Sequence, residues 1–246
     1  MRTDILKTAV AVAVFSVFLG IGCNQNPVDE SGAATPAKTQ FTDSRDGKVY
    51  DKVTVGTQVW MAENLNYNAE GSRCYGEGGD VADSRDERGY PIFKQLSPDE
   101  VEANCAKYGR LYDWKTARSA CPAGWHTADA DEWQTLVNYA GGKSTAGKHL
   151  KSKSGWYRYD DLAQGNGTDK YGFSALPGGI YYEYENEDES GAYFDGMGCT
   201  GMWWTSDAEV DGNAFYWHIY CGGGGGYVYW SDASKENMYS VRCVEN

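Results

Sequence analysis

The side chains able to do chemistry are few and widely scattered. Histidine occurs only at His126, His149 and His218. His126 closes the run Cys121-Pro122-Ala123-Gly124-Trp125-His126 and is read as a hydrogen-bonded part of the frame, because no partner spacing marks it as a general base. The sequence has no Gly-x-Ser-x-Gly elbow and no His-Glu-x-x-His pair. Five glycines at 222–226 lack a following Lys-Ser and a helix, so they read as a flexible strand connection rather than a phosphate loop. Residues 207–213 imitate the start of a calcium loop, but His218 stands where its glutamate belongs, and a hairpin turn at Asp211-Gly212 explains them better. The acidic run at 183–189 reads as solvated loop charge. No catalytic residue, cofactor or metal site is expected.

Seven cysteines remain, and one differs from the rest. Arg2 and Lys7, an apolar run over 9–19, and Gly20 and Gly22 lead into Cys23 as a signal peptide would. The run is shorter than the roughly 20 apolar residues a spanning helix needs. The approach to Cys23 resembles a lipobox with its leucine displaced by one, at Leu19, so Cys23 is the expected lipidation site. In the resemblance to Gram-negative lipoproteins, Asn24 rather than Asp points to the outer membrane or cell surface. The other six, Cys74, Cys105, Cys121, Cys199, Cys221 and Cys243, are an even number suited to three disulfides in an oxidising compartment, with fifteen possible pairings.

A formal charge of −13 excludes binding to nucleic acid or an anionic bilayer by charge alone. The expected membrane attachment is the N-terminal lipid. Residues 1–22 are assigned to the signal peptide and 23–42 to a lipid-anchored flexible linker, polar and poor in large apolar groups, with a reach of roughly 25 Å. Residues 43–246 suit one domain.

Within that domain, Val53, Val55 and Val59 alternate around Gly56-Thr57 as in a hairpin. Ser97, Pro98 and Glu100 start a helix that Gly109 stops, and Asp129 with Glu132 starts a second, whose Trp133, Leu136, Val137 and Ala140 share one face up to Gly141. Strand-like segments follow over 173–180, 202–205, 214–220, 227–230 and 239–244. Helices early and antiparallel strands late predict an α+β fold.

Aromatic side chains are the remaining signal: nine Trp, nineteen Tyr and seven Phe. Flat rings stack on sugar faces and also fill small glycine-rich cores, so abundance does not decide between the two. Tyr181, Tyr182 and Tyr184 enter the acidic loop. Tyr227 and Tyr229 share one strand face while Trp230 points to the other. These five tyrosines are the candidate ligand-binding residues.

Seven runs occur in order: 46–50 (DGKVY), 58–67 (QVWMAENLNY), 108–114 (YGRLYDW), 121–126 (CPAGWH), 172–179 (GFSALPGG), 203–206 (WWTS) and 240–244 (SVRCV). Together they resemble the Fibrobacter succinogenes major paralogous domain, a family of secreted and lipid-anchored bacterial proteins; Thr127-Ala128 departs from its usual Leu-Pro. The resemblance implies a C-type-lectin-like fold, two helices against irregular antiparallel strands with long loops. It also implies the pairing Cys74–Cys105, Cys121–Cys243 and Cys199–Cys221, and places Trp203 and Trp204 in the core. The sugar-binding triplets of calcium-dependent lectins are missing, and the reactive cysteine pair needed by a relation to the formylglycine-generating enzyme is not matched. The first functional expectation is a non-catalytic, envelope-anchored binding module for polysaccharide. The second is a structural or protein-interaction component of the outer membrane surface, and the third an oxidase.

Overall fold

A computed structural model of the chain describes residues 36–157, 165–185, 190–208, 212–222 and 226–246. The expected signal peptide, Cys23 and most of the expected linker lie outside them. The elements run β1 (Thr39–Thr42), β2 (Val49–Val55), β3 (Gln58–Met61), β4 (Asp80–Arg85), β5 (Pro91–Lys94), α1 (Pro98–Tyr108), α2 (Trp114–Ala120), β6 (Trp125–Thr127), α3 (Ala130–Tyr139), α4 (Ala146–Leu150), β7 (Ile180–Glu185), β8 (Ser190–Asp195), β9 (Thr200–Ala208), β10 (Asn213–Tyr220), β11 (Val228–Ser234) and β12 (Cys243–Glu245). They form three sheets, β1-β2-β3-β12-β6, β11-β10-β9 and β5-β4-β8-β7, antiparallel except where β4 meets β8. The fold is α+β. None of the helices among the described residues is long and apolar enough to cross a membrane.

Local chemistry explains the predicted elements. In α1 the Ser97 hydroxyl accepts from Glu100 N while Glu100 accepts from Ser97 N, and α3 repeats this with Asp129 and Glu132. Gly109 ends α1 at φ +76°, where an added Cβ would come within 2.7 Å of the Leu65 carbonyl. Trp133, Leu136 and Val137 are buried as their spacing requires. Two short helices, α2 and α4, join the expected pair because tertiary contacts sustain lengths too short to be stable alone.

Three expectations are corrected. The linker ends earlier than residue 42: β1 pairs with β2, and Phe41 stacks on Trp125 at 4.3 Å. The 173–180 segment is no strand before Ile180, for Ser174 adopts φ +53° and the carbonyls of Phe173 and Ser174 turn inward to Arg242. Of the expected last strand only Cys243 and Val244 join a ladder, because the preceding backbone is shared: Tyr239 N donates to the Tyr112 carbonyl, Ser240 N to the Met202 carbonyl, and the Val241 carbonyl accepts from Leu65 N.

The sequence motifs converge on one buried polar cluster. Asn64 Oδ1 accepts from Trp203 Nε1 at 2.9 Å and Arg242 Nε at 3.0 Å, while its Nδ2 donates to the Tyr108 carbonyl at 2.9 Å. Arg242, fully buried, also donates to the carbonyls of Met61, Phe173 and Ser174, and its guanidinium lies 4.5 Å over the Phe173 ring. Burial pulls its pKa down to about 9, still charged at neutral pH. Three disulfides close the frame: Cys74–Cys105, Cys121–Cys243 and Cys199–Cys221.

Candidate binding face

The three-stranded sheet carries the aromatic surface. In β10, residues alternate between two faces: Trp217 and Ile219 are buried toward α3, while Tyr216, His218 and Tyr220 point the other way. The β11 register places Tyr229 opposite His218 and Trp230 opposite Trp217, so each face receives rings from both strands. The pairing with β9 is irregular between Ala214 and Tyr216, and both stay on the same face. Cys199–Cys221 ties the end of β10 to the start of β9. The returning chain is pinned at Gly226, whose carbonyl accepts from Gly147 N and where a Cβ would meet Ser144 O at 2.7 Å.

On the Tyr216 side the rings form a continuous slope from core to solvent. Trp204 and Tyr239 are buried 4.3 Å apart, and Tyr216 packs on Tyr239 at 4.9 Å. His218 follows at 5.5 Å, with Tyr220 edge-on to it at 4.9 Å. Tyr229 stacks on His218 at 5.3 Å and 27°, and Tyr227 on Tyr229 at 5.7 Å and 14°. Tyr220, Tyr227 and Tyr229 expose 41–48% of their surface.

The face is electrically quiet. Burial pushes His218 down to about 4, so its imidazole is neutral through the physiological range, and its Nδ1 is buried without a hydrogen-bond partner among the described residues. Burial also raises the Tyr216 and Tyr220 phenols, which stay protonated as donors. The chemistry available is ring stacking with hydroxyl hydrogen bonds at the edges.

From residue 53 to 245 the chain matches the family model of the Fibrobacter succinogenes major domain. The chain belongs to this family. No curated protein and no solved structure matches it. The major-domain motifs fill the buried cluster, whereas Tyr216, His218, Tyr220, Tyr227 and Tyr229 all lie in the interval between the motifs at 203–206 and 240–244.

The five tyrosines singled out in the sequence have different fates. Tyr227 and Tyr229 stand together on the exposed slope. Tyr181 does not face a ligand: it is buried in a separate cluster against Phe194 at 4.9 Å, beneath the Arg73 guanidinium. Strand alternation is the reason, since neighbours in β7 cannot share a face. Tyr182 lies on the opposite face, packed on Tyr193 at 4.5 Å with the two hydroxyls hydrogen-bonded. The side chain of Tyr184 is outside the described residues, as are residues 186–189 and 209–211 of the acidic run and the calcium-like loop. Tyr220 and His218 are additions; the two-residue period from Tyr216 was the signal for them. His126 is a frame residue, Nε2 on Glu132 at 2.8 Å and Nδ1 on Asn246 at 2.7 Å.

Proposed function

We propose that this protein is a non-catalytic binding module, held on the outer membrane or cell surface by a lipid at Cys23, whose ligand is a polysaccharide lying across Tyr220, Tyr227 and Tyr229. The observation that carries the reading is the packing of these rings: each is half exposed yet stacked on a neighbour. A ring already held in place loses little freedom on binding, so the contact retains its full stacking energy. The apolar C–H faces of sugars suit the electron-rich faces of tyrosine. A neutral His218 beneath and a chain charge of −13 favour an uncharged glycan over an acidic one. A C-type-lectin-like arrangement is part of the proposal.

The test is retention of the full chain on insoluble cellulose, xylan and peptidoglycan. Tyr227→Ala with Tyr229→Ala is expected to weaken retention by about tenfold or more, at an unchanged melting temperature. Equal retention of variant and parent would remove the site.

One observation favours a second reading, docking onto another envelope protein. Among the described residues strand β5 is a sheet edge, and it exposes Ile92 and Phe93, with Tyr90 beside them. Cross-linking in intact cells that traps one reproducible protein partner through β5 would support it.

A further inference from the structure

The opposite face of the β10–β11 hairpin carries its own concavity. Trp230, 52% exposed, and Phe215 meet edge to face at 5.7 Å above the buried Trp217, and α3 closes the side with Ala130, Asp131 and Gln134. The enclosed volume is about 260 Å³. That lies below the roughly 300–1,000 Å³ of pockets for drug-sized ligands and fits a single six-membered ring. The walls are rigid. Trp217 stacks on Trp133 of α3 at 6.3 Å and 18°, Ala130 N donates to Asp207 on β9 at 2.7 Å, and the Lys143 ammonium lies 5.9 Å from the centre of Trp230.

The polar rim limits what can enter. Asp131 carries a carboxylate, which only accepts hydrogen bonds. Gln134 donates one amide hydrogen to Asn138 at 2.8 Å, a bond that uses neither its carbonyl oxygen nor its second amide hydrogen. A ligand must therefore bring donors toward Asp131 and Gln134 and an apolar face for Trp230, beside which the Lys143 ammonium lies as a further donor. A neutral pyranose with vicinal hydroxyls, which both donate and accept, meets these conditions.

We infer that the Trp230–Phe215 cavity is a second glycan subsite, which takes one neutral pyranose ring with its C–H face on Trp230 and adjacent hydroxyls donating to Asp131 and Gln134. It shares its ligand class with the function proposed above and depends on none of the same side chains. The tyrosine slope suits a chain lying along it, whereas this cavity suits a terminal or branching sugar.

The test is nuclear magnetic resonance of the full chain, with the Trp230 indole N–H identified by its loss in Trp230→Phe, titrated with glucose, xylose and N-acetylglucosamine and with the hexasaccharides of each. At least one is expected to move the Trp230 signal, with affinity about tenfold weaker in Asp131→Asn and unchanged in Tyr227→Ala/Tyr229→Ala. A Trp230 signal that none of the six sugars moves would overturn the inference, as would equal affinity in parent and Asp131→Asn. Because the tyrosine variant and the Trp230 signal are read separately, the slope can fail with the cavity standing, and the reverse.

Discussion

The buried cluster around Asn64 and Arg242 and the aromatic hairpin β10–β11 are built on opposite terms. In the cluster every side chain comes from a family motif, and Asn64 Oδ1 accepts twice while Arg242 donates to three carbonyls besides. In the hairpin the rings come from the interval between motifs, three tyrosines and a tryptophan are about half exposed, and His218 Nδ1 has no hydrogen-bond partner among the described residues. A buried polar network has one solution, because a lost partner exposes a desolvation cost with nothing to offset it. An exposed ring has many substitutes. The motifs therefore specify the frame, and the recognition surface proposed above draws on the residues between them.

That contrast can be broken most directly at Arg242. Arg242→Met strips partners from Asn64 and three carbonyls, and is expected to cost about 3–5 kcal/mol in denaturant unfolding. The paired change Tyr227→Ala/Tyr229→Ala should leave the same curve in place. If both variants unfold alike, the division between frame and recognition surface is wrong.

A smaller effect is expected from Lys151, which sits without solvent contact under the hairpin, its ammonium 3.4 Å from the Tyr220 carbonyl and 4.8 Å from the centre of Trp156. Burial lowers its pKa from 10.5 to about 8. The folded state thus binds the proton more weakly than the unfolded one, so stability is reduced below pH 8 and recovers as pH rises toward 10.5. Relative to a chain without this lysine, a gain of roughly 2 kcal/mol between pH 8 and 10 is expected. From about pH 9 upward the buried phenols of Tyr50, Tyr75 and Tyr239, whose pKa values burial raises, oppose the trend in parent and variant alike, because the unfolded chain ionises them first. Chemical denaturation across this range should show the rise as a growing difference in stability between the parent and Lys151→Met.

The smallest effect concerns His218. His218→Phe keeps a ring in the slope and removes the unpaired nitrogen, so it is expected to stabilise the fold by about 1 kcal/mol. A loss of stability on thermal denaturation would show that the imidazole has a structural partner after all.

The elements most legible in the sequence were those with local causes. The capping boxes at Ser97 and Asp129 satisfy helix N–H groups within three residues, and the β2–β3 turn at Gly56 is equally short-range. The 173–180 segment misled because its alternation is the same whether the backbone joins a ladder or turns its carbonyls to Arg242, some seventy residues away. Tyr181 misled for a related reason. Its place in an acidic stretch suggested solvent, yet the two-residue period of β7 and the nearby Phe194 put it inside.

Taken alone, the sequence determined the family, the two capped helices, the α+β class and the shared face of Tyr227 and Tyr229, because these depend on neighbours along the chain or on motifs in order. Only the tertiary structure decided which aromatic rings stay in solvent. It also decided that α3 turns Trp230 and Phe215 into a cavity with Asp131 and Gln134 at its rim. Burial and concavity arise from segments far apart in the chain packing against one another, and no local spacing encodes that meeting.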